Sequence, residues 1–537
     1  MAKETRNKKH DSLLEESGLR KVLNVPDTIK EYLPGIVLAS TLIALCYHFS
    51  AIMLEYFKWA ALSVGFPFPI DYGEGPLLDQ ILRLAHFENI YRSNFVGRPY
   101  TVSNYPPLFM LMQVPLYWLF GLALWYGRMI SIICVFVTAF FIFLTIFALT
   151  REWMASIIGG LLLICFPYIR QWSVFSRIDG LALALSWAAI YVTVRYAGQD
   201  DSRLQKRGYL LAVFLFIGAI YTRQTYALTA PFAAMTWLIF RSQGKVKSRI
   251  WPAVKLGLAI YGISLGLFLM VNIFTHGGFY FNIVVSNINP FYWETVYRHM
   301  QEIRGSFYPL LIIAGFFCCL NLWIKNARSQ IWPLAVSYLV AAIAVATTIG
   351  KTGSSVNYLF EFCAALSFIV GASMAWVGRL KWGGKIWIQI VLLVIITFQL
   401  TSLVEWNGID FSGFGDYLTK RCHEDRVERL ARIVNKTRGI VLADEYMGLI
   451  PLAGKELYFE PFEFKQLVEA GIVDETSFVR ELKQGKFDVI LLYNPYWWPA
   501  VLMRWTQAQI NALKMSYRVD EVIGNVYVLR PIEKKLF

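Results

Sequence analysis

The stretch PIDYGEGPLLDQ, Pro69 to Gln80, places three carboxylates, Asp71, Glu74 and Asp79, within nine residues, directly after a long apolar run. A carboxylate in such a setting can take the proton of an attacking hydroxyl, the ordinary work of a general base. Asp71 is the first choice for that base. Glu74 is the next, either as the base itself or as a group that positions the hydroxyl. Asp79 falls on a predicted amphipathic helix and is expected on a solvated face. Cations stand in other short segments: Arg177 in PYIRQWSVFSRIDG, Arg223 in YTRQT and Lys351 in GKTGSSVNYLFE. Charges near membrane depth are costly and tend to mark function, although a basic side chain that only snorkels to headgroups is the plainer reading of each taken alone. The Gly and Ser residues after Lys351, Ser354 among them, are expected to form a nest of N–H groups at a helix start, a receiver for an anion.

The chain that must position these groups has 537 residues, 56% hydrophobic and 16% charged. That balance belongs to an integral membrane protein. Apolar segments long enough to cross about 30 Å of hydrocarbon recur from residue 34 to residue 403. The net charge of +14 does not point to nucleic acid, because residues 405–537 hold 18 Lys and Arg against 19 Asp and Glu. The excess therefore lies in the membrane part, where the positive-inside rule accounts for it. Six of the seven cysteines lie in or beside apolar runs and Cys422 stands alone, so neither a disulfide framework nor a metal-binding Cys pair is expected. The first apolar run, LPGIVLASTLIALCYHFSAIMLEY, is long enough to be an uncleaved anchor.

Orientation follows from where Lys and Arg gather. The basic N-terminal segment, residues 1–33, is expected in the cytoplasm. The later basic segments RYAGQDDSRLQKRG, RSQGKVKSR, KNAR and GRLKWGGK fall on the same side only if Tyr105–Gly121, with its three prolines, is a juxtamembrane helix rather than a crossing. The expected spans are 34–60, 126–149, 154–170, 180–197, 209–222, 226–241, 251–275, 306–324, 331–350, 356–377 and 386–403. The fold class is then a polytopic α-helical membrane domain (34–404) of about eleven crossings with a large first external loop (65–125), followed by an external domain (405–537). Within that loop, PLLDQILRLAHFENIY spaces its apolar residues as a helix lying on the bilayer surface would; a packing plug is the structural alternative. In the last domain, helices (EDRVERLARIVNKT, TSFVRELKQG, RWTQAQINALKM) alternate with apolar strands (GIVLAD, FDVILLY, NVYVLR), an α/β pattern. No nucleotide-binding motif occurs there. The aromatic runs YFEPFEF and YNPYWWP suit sugar stacking or, more plainly, core packing.

On these residues the chain resembles the glycosyltransferase C superfamily, polytopic enzymes that use polyprenyl-phosphate-linked sugars. Acids just after the first span (DYGEG), a Tyr-Pro-Pro-Leu helix start (NYPPLF) and GRMIS opening the next span carry the likeness. The resemblance implies that a sugar leaves a polyprenyl phosphate carrier on the external face of a bacterial cytoplasmic membrane and joins an envelope glycan or lipid, with inversion. Lys351, Arg223, Arg177 and Ser354 would bind the donor phosphate. Tyr72, Tyr105, Asn357, Glu361 and Asp179 would contact acceptor or substrate. PYIRQWSVFSRIDG looks like a reduced form of a family loop that holds a divalent metal, with only Asp179 left of its paired acids. A metal is therefore not supported, and no other cofactor is expected. The rival reading is a transporter or flippase of lipid-linked sugars, against which no internal repeat is seen.

Overall fold

The computed structural model describes residues 27–93, 99–197, 201–241, 245–323, 330–380, 384–405, 412–423, 425–493 and 504–532. The KNAR segment, most of residues 1–33 and all of YNPYWWP after Tyr493 lie outside them.

The chain opens with α1 (Asp27–Gly65), followed by the short α2 (Glu74–Ala85) and α3 (Leu108–Phe120). The bundle continues through α4 (Trp125–Thr150), α5 (Trp153–Cys165), α6 (Pro167–Ser173), α7 (Asp179–Tyr196), α8 (Ser202–Thr222), α9 (Thr229–Arg241) and α10 (Val246–Phe274). It ends with α11 (Gly278–Ile283), α12 (Trp293–Trp323), α13 (Trp332–Ala346), α14 (Phe360–Gly378) and α15 (Lys385–Glu405). Among the described residues, eight helices are long and apolar enough to cross a membrane, or nine if α5 and α6 form one broken span. The expected count of eleven needs two more. The segments 180–197 and 226–241 do form helices, α7 and α9, but these fall short of that test in length or hydropathy. Tyr105–Gly121 yields only the 13-residue α3, too short to cross.

Breaks in the helices follow the prolines. Pro167 pushes Phe166 into an extended conformation (ψ 124°), and α6 turns 60° away from α5. Pro309 accompanies a non-helical Phe307 inside α12, and Gln399 Nε2 donates to the Ser306 carbonyl beside the break at 2.8 Å. Helix α14 is buried along its whole length except for its last residue, Gly378, so neighbouring helices pack around it on every side.

Helix α2 corrects the picture of a helix lying on the bilayer. Ten of its twelve residues are buried, the polar Asp79, Gln80 and Arg83 included. Its apolar side joins Phe109, Ile178 and Phe279 in one cluster. Its polar side meets the C-terminal part: Asp79 pairs with Arg83 at 2.7 Å and accepts from the Leu457 N–H at 3.4 Å. Asp79 is therefore a packing residue rather than a solvated one.

After α15 come α16 (Ser412–His423) and α17 (Asp425–Lys436). Helix α16 returns to the bundle, where Phe414 packs on Trp59 of α1 with ring centroids 5.0 Å apart. The α/β domain comprises β1 (Val441–Ala443), α18 (Leu449–Leu452), α19 (Pro461–Glu469), α20 (Thr476–Lys483), β2 (Val489–Tyr493), α21 (Gln507–Ser516), β3 (Tyr517–Ile523) and β4 (Val526–Pro531). Strand order is β1-β2-β4-β3, with β1 parallel to β2 and the other pairs antiparallel. The named sequence segments form the elements expected of them; β3 was not foreseen, because a register shift between Val519 and Glu521 breaks its alternation. The first long loop joins this domain directly. Tyr100 N–H donates to the Tyr458 carbonyl at 2.8 Å, Glu460 N–H returns a bond to the Tyr100 carbonyl at 3.0 Å, and the Tyr100 ring enters the domain's aromatic core.

Candidate active site

The turn between α1 and α2 carries the two leading acids, and the fold treats them differently. Glu74 is fully buried. Arg128 grips it through Nε and Nη2, each at 2.8 Å, and the backbone N–H groups of Ser176 (2.9 Å) and Ile70 (2.8 Å) are its closer backbone donors, with the Asp71 N–H at 3.4 Å. Arg128 spends its remaining donors on the carbonyls of Ser63, Phe66 and Phe68. Burial alone would push the Glu74 carboxyl up, but Arg128 and the two N–H donors outweigh it and hold the acid below the usual glutamate range. Glu74 thus ties the turn to α4 and has no face left for a reactant.

Asp71 is 18% exposed. It pairs with Arg177 and accepts from the Gly73 N–H at 2.9 Å. A Cβ on residue 73 would sit 1.9 Å from Arg177 Nη1, so the guanidinium can lie here only because residue 73 is glycine. Burial pushes the Asp71 carboxyl above the usual aspartate range, Arg177 pulls the other way, and Glu74 and Glu445 add to the rise. The preceding carbonyls are held from the C-terminal part: Arg421 reaches Pro69 at 3.5 Å and Tyr417 reaches Ile70 at 3.3 Å.

A second node lies at Asp179, the first residue of α7. Its carboxylate binds Arg223, accepts from Trp172 Nε1 at 2.8 Å and accepts from Asn357 Nδ2 at 3.1 Å. Arg177 stacks over Trp172 at 4.9 Å, which links the two nodes, and Arg223 stacks over Tyr358 at 4.4 Å. Tyr105 sits within electrostatic reach of both arginines. Both carboxylate oxygens of Asp179 are thereby occupied, a poor fit for a metal ligand. Among the described residues no three His, Cys, Asp or Glu side chains stand together as a metal cage would need.

Lys351 is held differently. Its ammonium meets the Asn287 amide oxygen at 3.4 Å, with no carboxylate in ion-pair range among the described residues. Its loop is pinned by Tyr292 N–H to Gly350 (2.8 Å) and Thr352 N–H to Pro290 (2.8 Å). Gly353, at φ +84°, turns the loop beneath the Phe462 ring, which a Cβ there would strike at 2.6 Å. The expected helix start is present as a 3-10 turn, Val356–Leu359, leading into α14, and Ser354 donates to Thr348 at 3.3 Å. Burial holds the Lys351 ammonium below the usual lysine range; Tyr358 opposes the shift and Arg223 adds to it.

The four sequence segments singled out for their acids and cations therefore converge. Asn357 and Glu361 lie one helical turn apart at the head of α14; among the described residues Asn357 Oδ1 has no hydrogen-bond partner, and Thr229 stands beside the Glu361 carboxyl. Tyr72 faces the C-terminal domain: its hydroxyl reaches Glu463 at 3.3 Å, and Arg504, paired with Glu445 at 2.6 Å, stacks over its ring at 4.5 Å. Sequence reading missed Tyr358, Trp172, Asn287 and the clamp by Arg128. Arg128 lies inside the quoted GRMIS motif, Trp172 inside PYIRQWSVFSRIDG and Tyr358 inside GKTGSSVNYLFE, whereas Asn287 lay in no quoted segment; Ser131, also in GRMIS, bonds the Arg177 backbone on both sides through its hydroxyl (2.9 and 3.1 Å).

Two comparisons bear on this arrangement. The family model described as dolichyl-phosphate-mannose-protein mannosyltransferase matches residues 104–269, beginning at NYPPLF. Among solved structures, ArnT from Cupriavidus metallidurans bound to undecaprenyl phosphate is similar over 91% of this chain and 98% of its own, at 15% identity and a TM-score of 0.58. The archaeal oligosaccharyltransferase AglB from Archaeoglobus fulgidus, in complex with an inhibitory peptide and a dolichol-phosphate, is similar over 89% of this chain and 74% of its own, at 10% identity and a TM-score of 0.54. Comparison with curated proteins gives no sequence match. The chain therefore shares the fold of these two structures.

Proposed function

We propose that the protein transfers a sugar from a polyprenyl phosphate carrier to a hydroxyl of an envelope glycan or lipid, on the external face of the membrane and with inversion at the anomeric carbon. The observation that carries this reading is the presence, in one polar centre at the end of an apolar bundle, of a partly exposed carboxylate, Asp71, and a cation, Lys351, that has no carboxylate in ion-pair range among the described residues. The acceptor hydroxyl gives its proton to Asp71 as its oxygen attacks the anomeric carbon. The bond from that carbon to the phosphate oxygen breaks, and the charge gathering on the phosphate is met by Lys351, the Arg223 guanidinium and the Ser354 hydroxyl. A leaving group of low pKa needs no separate acid.

A groove of about 470 Å³ supports the lipid part of the reading. Val296, Met300, Leu311, Ile343, Ile349 and Phe362 line it, and Ile349 and Leu359 carry it toward the Lys351 loop. A prenyl chain lying there would bring its phosphate to Lys351. Transfer measured with membrane-extracted polyprenyl phosphate sugars tests the proposal. Asp71→Asn should lose roughly 10²-fold or more in transfer while still binding donor, and Lys351→Ala should lose donor binding by about 1.5–3 kcal/mol. Transfer at the parent rate by Asp71→Asn would remove the base from the mechanism.

A further inference from the structure

The far end of the same bundle holds a second, unassigned cavity. Helix α7 starts in the polar centre at Asp179 and ends at Tyr196, α8 starts at Ser202 and ends beside Arg223, and α9 starts at Thr229 and ends at Arg241. Tyr196, Ser202 and Arg241 therefore mark the opposite end of the bundle, about 25 Å from the candidate active site at roughly 1.5 Å per helical residue. Between these ends and the start of α10 lies a cavity of about 680 Å³.

Its walls combine two chemistries. Lys206, Arg241 and Lys255 line it together with Leu210, Trp251 and Leu258, and these three apolar side chains are 56%, 52% and 66% exposed. Such exposure on a helix of membrane length means a side open to acyl chains. None of the three cations has a carboxylate in ion-pair range among the described residues. Aromatic faces hold two of them in place instead: Arg241 lies over Trp237 at 4.9 Å and Lys255 over Trp251 at 5.6 Å. The Tyr209 hydroxyl donates to the Lys255 carbonyl at 2.8 Å, which fixes α8 against α10 and shapes the cavity between them.

We propose that this cavity binds an anionic phospholipid of the leaflet opposite the active site, its phosphate among Lys206, Arg241 and Lys255 and its acyl chains along Leu210, Trp251 and Leu258. The charge argues for the class of lipid. Three cations with no counter-charge among the described residues attract a net negative headgroup, whereas a zwitterionic one brings its own ammonium into the same space. The apolar wall argues against free phosphate, which leaves that surface unused. The positive-inside rule by itself explains basic loops, but not a cavity that gathers their charges beside an exposed apolar wall.

The test uses the full chain in neutral detergent, with thermal unfolding and native mass spectrometry as readouts. Phosphatidylglycerol should raise the melting temperature and remain bound in a 1:1 complex. Phosphatidylcholine with the same acyl chains, and inorganic phosphate, should do neither. The Lys206→Gln, Arg241→Gln, Lys255→Gln triple variant should bind phosphatidylglycerol roughly tenfold or more weakly. Equal binding of the two lipids, or undiminished binding by the variant, overturns the proposal. If the variant does not fold, a photoactivatable phosphatidylglycerol on the parent protein decides: crosslinks must fall within α8, α9 or the first half of α10, and crosslinks confined to other helices overturn it.

Discussion

Asp71 and Glu74 stand three residues apart and carry the same functional group, yet one turn of backbone places them in different surroundings. Glu74 neutralises a wholly buried arginine. Glu74→Gln should therefore destabilise the protein by about 3–5 kcal/mol, the cost of leaving Arg128 buried without a counter-charge. Detergent-solubilised variant should melt well below the parent, whereas Asp71→Asn should melt close to it; equal melting of Glu74→Gln and parent would refute the structural role. Asp71 also predicts a pH dependence. A base works only when deprotonated, so transfer should fall as the pH drops through the raised pKa of Asp71, and the acid limb of kcat/KM should lie above the ordinary aspartate value of about 3.9. Arg177 lowers this pKa more than the Gly73 N–H does, so Arg177→Gln should move the limb to higher pH. A limb that stays in place would place the titrating group elsewhere.

Among elements, the loops of the site are held by the C-terminal domain as much as by the bundle. Arg421 and Tyr417 take the carbonyls just before Asp71, Tyr100 crosses into the domain's aromatic core, and Phe462 closes over Gly353 next to Lys351. The domain thus helps to position both Asp71 and Lys351. Phe462→Ala should loosen the Lys351 loop and raise KM for the lipid donor several-fold while kcat changes little, because the lost contact serves donor positioning rather than the proton transfer. Steady-state kinetics with varied donor measures this, and a fall in kcat at unchanged KM would count against it. Helix α2 shows how such contacts escape a one-helix reading: its apolar stripe was visible, but the Asp79–Arg83 pair on its other side is buried only because residues 446–457 lie across it.

At the scale of the whole molecule, the Tyr100–Phe459 bridge puts the first long loop and the C-terminal domain at the same end of the bundle. If the basic N-terminal segment is cytoplasmic, that end faces outside. An alkaline phosphatase fused to the C-terminus should therefore be active in bacterial cells, and a cytoplasm-only reporter at the same point should be silent. The reverse pattern would invert the proposed active face, and with it the leaflet assigned to the phospholipid cavity.

The division between what was legible in the chain and what was not follows the range of the forces involved. Composition, hydropathy runs, prolines at helix breaks and short apolar strands act within a few residues, so the class of fold, most helix positions, the α/β character of the last domain and the grouping of acids with cations could be read directly. Eight or nine membrane-length helices among the described residues stand beside the eleven crossings read from hydropathy, the difference being α7 and α9. The separation of Glu74 from Asp71 was not legible at all. It depends on Arg128, 54 residues away, and on carbonyls at the end of α1, so only packing in three dimensions could decide which acid would be neutralised and which left facing the site.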